Sequence, residues 1–263
     1  MRGLLKMGLL VAWLVGVGQA SGQVAETVVD IPTRAGVTQR LLVLAVPQPR
    51  AAVLLFAGGN GGLQISPSGT IAQLEGNFLV RTRQQFAQEG LWVAVVDAPS
   101  DRQTPPYLSG FRQTAEHVAD AKAAIAWVRA QAKVPVWLAG TSRGTQSVAY
   151  IATQLQGAQG PDGLVLTSTI FNDEKARAVP AMALETVRIP VLVVHHEQDG
   201  CRLCPFGAAP AMMDQFTQAP AKQLLAFRGG RDRGDPCEAA AYHGFNGIER
   251  DVVSQSVAWI LSH

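Results

Sequence analysis

Five consecutive residues, Gly140-Thr141-Ser142-Arg143-Gly144, have types and spacing that could do nucleophilic chemistry. They form the pattern G-x-S-x-G, which puts a serine hydroxyl on a sharp turn between a strand and a helix. In a chain with 26 glycines the pattern alone is weak, so its surroundings carry the argument. The apolar run Val134 to Ala139 reads as a buried strand, and Thr145 to Leu155 reads as the helix after it. A turn that tight holds the serine in a strained backbone conformation. Gly140 and Gly144 take away side chains that would collide there. The hydroxyl then stands at the C-terminal edge of a sheet, beside the positive end of a helix. A serine hydroxyl is a poor nucleophile at neutral pH and needs a base.

The elements that must position this serine alternate along the chain. Strands are expected at Glu26 to Ile31, Val37 to Val46, Ala51 to Ala57, Leu91 to Val96, Val134 to Ala139, Gly163 to Thr167, Pro190 to His195 and Gln223 to Phe227. Helices are expected at Phe78 to Glu89, Gln113 to Lys133, Thr145 to Leu155, Ala208 to Gln218 and Ile248 to Leu261. Such alternation predicts an α/β fold with a mostly parallel central sheet and helices on both faces. Only about twenty residues separate Thr167 from Pro190, which leaves room for a small lid or none. No linker divides the chain, so residues 23–263 read as one domain.

With these residues in place the chain resembles the α/β-hydrolase superfamily, over nearly all of residues 23–263. The resemblance implies an acid after a later strand and a histidine near the C-terminus. Asp199, in the loop after Pro190 to His195 and followed by Gly200, matches the acid's position. Asp173 is the runner-up, because some relatives carry the acid one strand earlier, and Glu197 is third. Of the five histidines, His117 precedes the serine and His263 ends the chain. His195 and His196 precede the acid and read as strand-end residues that line or support the site. His243, between the last strand and the last helix, matches the family's base. The family's oxyanion donors are two backbone N–H groups, here that of Arg143 and one from the loop Gly58 to Gly62, at Gly59 or Asn60. The loop glycines fit neither a dinucleotide fingerprint nor a P-loop. The Arg143 side chain either draws in an acidic substrate or pairs with Asp173 or Glu197, and the pairing is preferred. Arg102, Tyr107 and Phe111, within Asp97 to Arg112, are expected to form one pocket wall.

The implied activity is that of a serine hydrolase, with a small or exposed carboxylic ester as substrate and no cofactor. His243 would take the proton of Ser142, and Asp199 would orient the imidazole. An amidase, peptidase or thioesterase on the same three residues is the alternative within the class. A binding protein on the same fold, or a thiol or metal protein using the late Cys and His residues, are alternatives outside it. Cys201, Cys204 and Cys237 are the three cysteines. A bridge from Cys201 or Cys204 to Cys237 would tie the acid loop to the histidine loop. Cys201–Cys237 is favoured, with Cys204 free. The cluster of His195, His196, Cys201, Cys204 and His243 has no usual zinc spacing, so no metal is assigned.

Composition limits the remaining classes. The chain has 263 residues, 48% hydrophobic and 16% charged, which suits a folded globule and excludes a disordered one. Residues 1–22 read as a signal peptide: Arg2 and Lys6, an apolar stretch from Met7 to Gly18, then small residues with cleavage after Ala20 or Gly22. That stretch is short of the ~20 residues that span a bilayer, so no stable membrane insertion is expected after its removal. Without the leader, Lys plus Arg falls from 22 to 20 and equals Asp plus Glu at 20. A near-neutral chain gives no ground for binding nucleic acid. Export would place the cysteines in an oxidising compartment.

Overall fold

Runs of five or six apolar residues such as Ala-Val-Leu-Leu-Phe can be covered on both faces only inside a sheet flanked by helices. The computed structural model describes residues 22–263 and contains one eight-stranded sheet. The leader expected at residues 1–22 lies outside the described residues, apart from Gly22. The strands are β1 (Glu26–Arg34), β2 (Val37–Leu44), β3 (Ala52–Phe56), β4 (Trp92–Pro99), β5 (Val136–Thr141), β6 (Gly163–Thr167), β7 (Val191–His196) and β8 (Lys222–Phe227). Their order across the sheet is β1-β2-β4-β3-β5-β6-β7-β8. The pairs β1–β2 and β2–β4 are antiparallel, and all others are parallel. β3 and β5 are central, with all five residues of β3 buried, so the ends of both deliver loops to the middle of one sheet edge.

The helices are α1 (Phe78–Arg81), α2 (Arg83–Gln88), α3 (Ala115–Ala132), α4 (Arg143–Gln154), α5 (Ala209–Gln215) and α6 (Glu249–Ser262). Strand alternation sorts the core into two layers. Ala52, Leu54, Phe56 and Leu138 pack with α3, α4 and α5 on one face. Val53, Leu55, Trp137 and Ala139 pack with α1, α2 and α6 on the other. The segment expected as one helix over Phe78 to Glu89 is two short ones, broken at Thr82. The Thr82 hydroxyl donates to the Phe78 carbonyl at 2.6 Å, a back-bond that competes with the helix ladder. Between β6 and β7 the chain forms only two single helical turns, Val179–Ala181 and Leu184–Thr186, and no lid. No helix among the described residues is long and apolar enough to cross a membrane.

Two buried histidines under the sheet edge make the fold sensitive to acid. His117 on α3 stands edge-on to Phe56 and Phe111, and neither ring nitrogen has a hydrogen-bond partner. Burial, then the nearby cations Arg112 and Arg34, push it down to about 3. His195 at the end of β7 accepts the Thr169 N–H on Nε2 at 2.8 Å, which requires a neutral ring, and burial pushes it down to about 4. Both depressed values favour the folded state above the unfolded histidine pKa of about 6.5. Below that, the unfolded chain takes up protons that the folded chain refuses, so stability falls with pH. The melting temperature is expected to drop by several degrees from pH 7 to pH 5, before most carboxylates titrate. A flat profile at constant ionic strength would show that neither ring is held neutral.

Candidate active site

β5 ends at Thr141 and α4 starts at Arg143, so Ser142 alone makes the turn. The helix begins two residues before the expected Thr145, because the serine itself occupies its cap position. Ser142 has φ 51° and ψ −126°, a conformation that side chains rarely adopt. Its N–H donates to the Thr167 carbonyl at 3.0 Å, and its carbonyl accepts from the Thr145 N–H and hydroxyl. The flanking glycines are there for space. A Cβ on Gly140 would lie 2.5 Å from the Gly144 carbonyl oxygen, and one on Gly144 would lie 2.2 Å from that of Phe56. The N–H of Arg143 is the first of its helix and has no intrahelical acceptor.

His243 sits in a single helical turn, Tyr242–Gly244, between β8 and α6. Its Nδ1 is 2.9 Å from Asp199 Oδ2. The Asp199 side chain is fully buried, and its other oxygen accepts the Cys201 N–H at 2.9 Å. The Ser168 hydroxyl donates to the His243 carbonyl at 2.6 Å and fixes the backbone from below. His243 Nε2 is buried and has no hydrogen-bond partner. No hydrogen bond joins it to Ser142, but both residues open on one cavity of about 370 Å³. Of the other acids considered, Asp173 bonds to Arg143 and Gln146, and Glu197 bonds to Arg228. Arg143 is therefore held in an ion pair with Asp173. His195 and His196 do not line the cavity. His196 supports it by stacking on Tyr242 with ring centroids 4.3 Å apart.

A disulfide joins Cys201 to Cys237 across 36 residues, and Cys204 is a free, buried thiol. Burial pushes the Cys204 thiol well up from its ordinary value, which makes it a poor nucleophile. The ligand atoms of Cys201, Cys204 and His243 lie within 4.8 Å of one another. With Cys201 bridged, one thiol and one imidazole remain, short of a structural zinc set.

The loop after β3 faces the elbow. A Cβ on Gly58 would stand 3.0 Å from Ser142 Cβ. The N–H groups of Gly61 and Gly62 are used within the loop, on the Gly58 carbonyl and Asn60 Oδ1. Those of Gly59 and Asn60 donate to no group among the described residues, and of the two residues Gly59 lines the cavity. Arg112, 6% exposed, explains their direction. Its Nη2 donates to the carbonyls of Ala57, Gly58 and Gly59 at 3.2–3.3 Å, and its Nη1 to Ser147 on α4 at 2.9 Å. A trans peptide points its N–H opposite to its C=O. Holding the carbonyls of Gly58 and Gly59 therefore turns the N–H groups of Gly59 and Asn60 away from the guanidinium.

The walls differ from the sequence expectation. Leu74 to Phe78 forms one side and Glu238 with Ala239 another. Arg102, Tyr107 and Phe111 lie elsewhere: Arg102 stacks on Phe111, and the Tyr107 ring fills the space that a Cβ on Gly62 would need. Asn77, which no sequence motif marks, joins the site. It lines the cavity, with its Nδ2 3.3 Å from where a Cβ on Gly58 would lie, and it makes no cap bond to α1.

No family model matches the sequence, and no curated protein matches it significantly. Solved structures do match. A serine hydrolase without a lid from Xanthomonas campestris covers 90% of this chain and 96% of its own, with a TM-score of 0.57 at 16% identity. A cold-adapted esterase from an Arctic intertidal metagenomic library covers 96% and 99%, with a TM-score of 0.60 at 15% identity. The chain has the α/β-hydrolase fold. A Pyrococcus furiosus esterase is similar over 90% of this chain and 91% of its own, with a TM-score of 0.62 at 12% identity. At these identities the likeness concerns the fold, and the site must speak for the chemistry.

Proposed function

We propose that the protein is an exported serine hydrolase that cleaves a carboxylic ester through an acyl-enzyme. The observation that carries this reading is one cavity shared by a strained Ser142 and by a His243 whose Nδ1 is bonded to buried Asp199 and whose Nε2 is free. Asp199 keeps the Nδ1 proton in place, so Nε2 is left as the base. A substrate carbonyl enters between Ser142 and the loop after β3. His243 Nε2 takes the hydroxyl proton as Oγ attacks, and the hydrogen bond between them forms at that stage. The N–H groups of Arg143 and Gly59 receive the oxyanion, each worth ~3 kcal/mol in comparable sites. His243 returns the proton to the leaving alcohol, and water then releases the acyl group by the same steps. The missing lid leaves the cavity open to small or surface-exposed esters, and the neighbouring esterases favour an ester. The disulfide supports an oxidising compartment.

A fluorophosphonate probe tests the reading. It is expected to label the folded protein stoichiometrically at Ser142, and Ser142→Ala is expected to take no label. A folded wild type that stays unlabelled would overturn the assignment.

A further inference from the structure

Arg112 is a buried cation for which no carboxylate partner occurs among the described residues. Taking a guanidinium out of water costs several kcal/mol unless counter-charge or hydrogen bonds repay it. Its partners are three backbone carbonyls and one hydroxyl, all neutral, and its Nε–H donates to none of them. Burial and the adjacent Arg143 push its pKa down to about 9, so it remains charged at neutral pH. Arg112 also lines a second cleft of about 340 Å³, which shares Arg143 with the cavity that holds Ser142. Arg143 and the exposed Lys175 line it too, and no acidic side chain does. Asp173, which pairs with Arg143, neutralises one of the three cations. Two positive charges are left facing a cleft that shares a wall with the proposed catalytic cavity.

We propose that this cleft binds an anionic group, a carboxylate or a phosphate, on Arg112 and Lys175. Arg112 would meet the anion with its Nε edge while its Nη2 holds the carbonyls of Ala57, Gly58 and Gly59, so anion binding and the set of the oxyanion loop share one side chain. An anion bound in the cleft would supply the counter-charge that the fold withholds from Arg112. The inference deepens the proposed function, since an ester with a free carboxylate on its acyl chain could lie across Arg143 with that carboxylate in the cleft. The recognition chemistry is the same for a free anion.

Binding is measured first, on Ser142→Ala protein, so that the outcome does not depend on turnover. Calorimetric titration with glutarate and with inorganic phosphate at fixed ionic strength is expected to show saturable binding. Lys175→Gln is expected to weaken it about tenfold, the equivalent of 1.4 kcal/mol. Arg112→Lys, checked for folding by circular dichroism, is expected to weaken it at least as much. Turnover then separates the two sources of anion. If the substrate's own carboxylate is the ligand, p-nitrophenyl hemiglutarate is favoured over p-nitrophenyl butyrate in kcat/KM, and Lys175→Gln lowers that ratio. If anions bind and the ratio stays near one, the cleft is a site for a free anion. Absence of saturable binding of either anion overturns the proposal, whatever the fluorophosphonate result. A protein that binds anions yet takes no probe would overturn the hydrolase reading and leave the cleft standing.

Discussion

Asp199→Asn is expected to lower kcat on a p-nitrophenyl ester by about 10⁴ while leaving the protein folded. Asp199 accepts from His243 Nδ1 through one oxygen and from the Cys201 N–H through the other. An asparagine of the same shape keeps the second contact. If its NH₂ group faces the imidazole, it donates where the carboxylate accepted. The ring must then carry its proton on Nε2, the nitrogen proposed as the base, which can no longer accept one. The carboxylate charge that steadies the imidazolium is also gone. Asp173→Asn is the matched control. It breaks the pair with Arg143 and is expected to cost less than tenfold, because Asp173 is bonded to α4 and not to the imidazole. Steady-state rates of the two variants, with melting curves, decide between the acids. Near-wild-type activity in Asp199→Asn would reduce its bond to His243 to a structural one.

The parts of this site that could be read in the sequence are those fixed by local sterics. Gly140 and Gly144 flank the single residue through which the chain passes from strand to helix. Their contacts with backbone oxygens show why neither can carry a side chain. Apolar runs marked the strands because β3 to β7 are covered on both faces, and there composition alone specifies burial. The cavity walls carried no such signal. Leu74 to Asn77 and Glu238 reach the site through loops without periodicity, so nothing in their order says what they face. Arg112 only closes the stretch Asp97 to Arg112 in which a pocket wall is expected, and its role comes from carbonyls more than fifty positions earlier in the chain. A buried arginine leaves no trace in a sequence when its partners are backbone atoms.

Removing the disulfide is the other large effect expected, and it acts on stability and geometry together. In a chain-entropy model, closing a 36-residue loop restricts the unfolded state by about 4 kcal/mol, less any native strain. For a domain of this size that corresponds to a melting temperature lower by ~10 °C. Cys237→Ser alone is an unsafe test. Cys204 is free and its sulfur lies within 4.8 Å of that of Cys201, so a new bridge could form between them. The double variant Cys204→Ala/Cys237→Ser removes that escape, with Cys204→Ala as its reference. Activity should fall with stability, because Asp199 and His243 lie on the two loops that the bridge ties together, and their only direct bond is the 2.9 Å contact between them. A rate on p-nitrophenyl acetate lowered at 10 °C, where the variant is still fully folded, would separate loss of alignment from loss of folded protein. An unchanged rate at that temperature would mean that the Ser168 bond to the His243 carbonyl and the packing beneath it hold the imidazole without the bridge. The disulfide would then contribute through the unfolded chain alone.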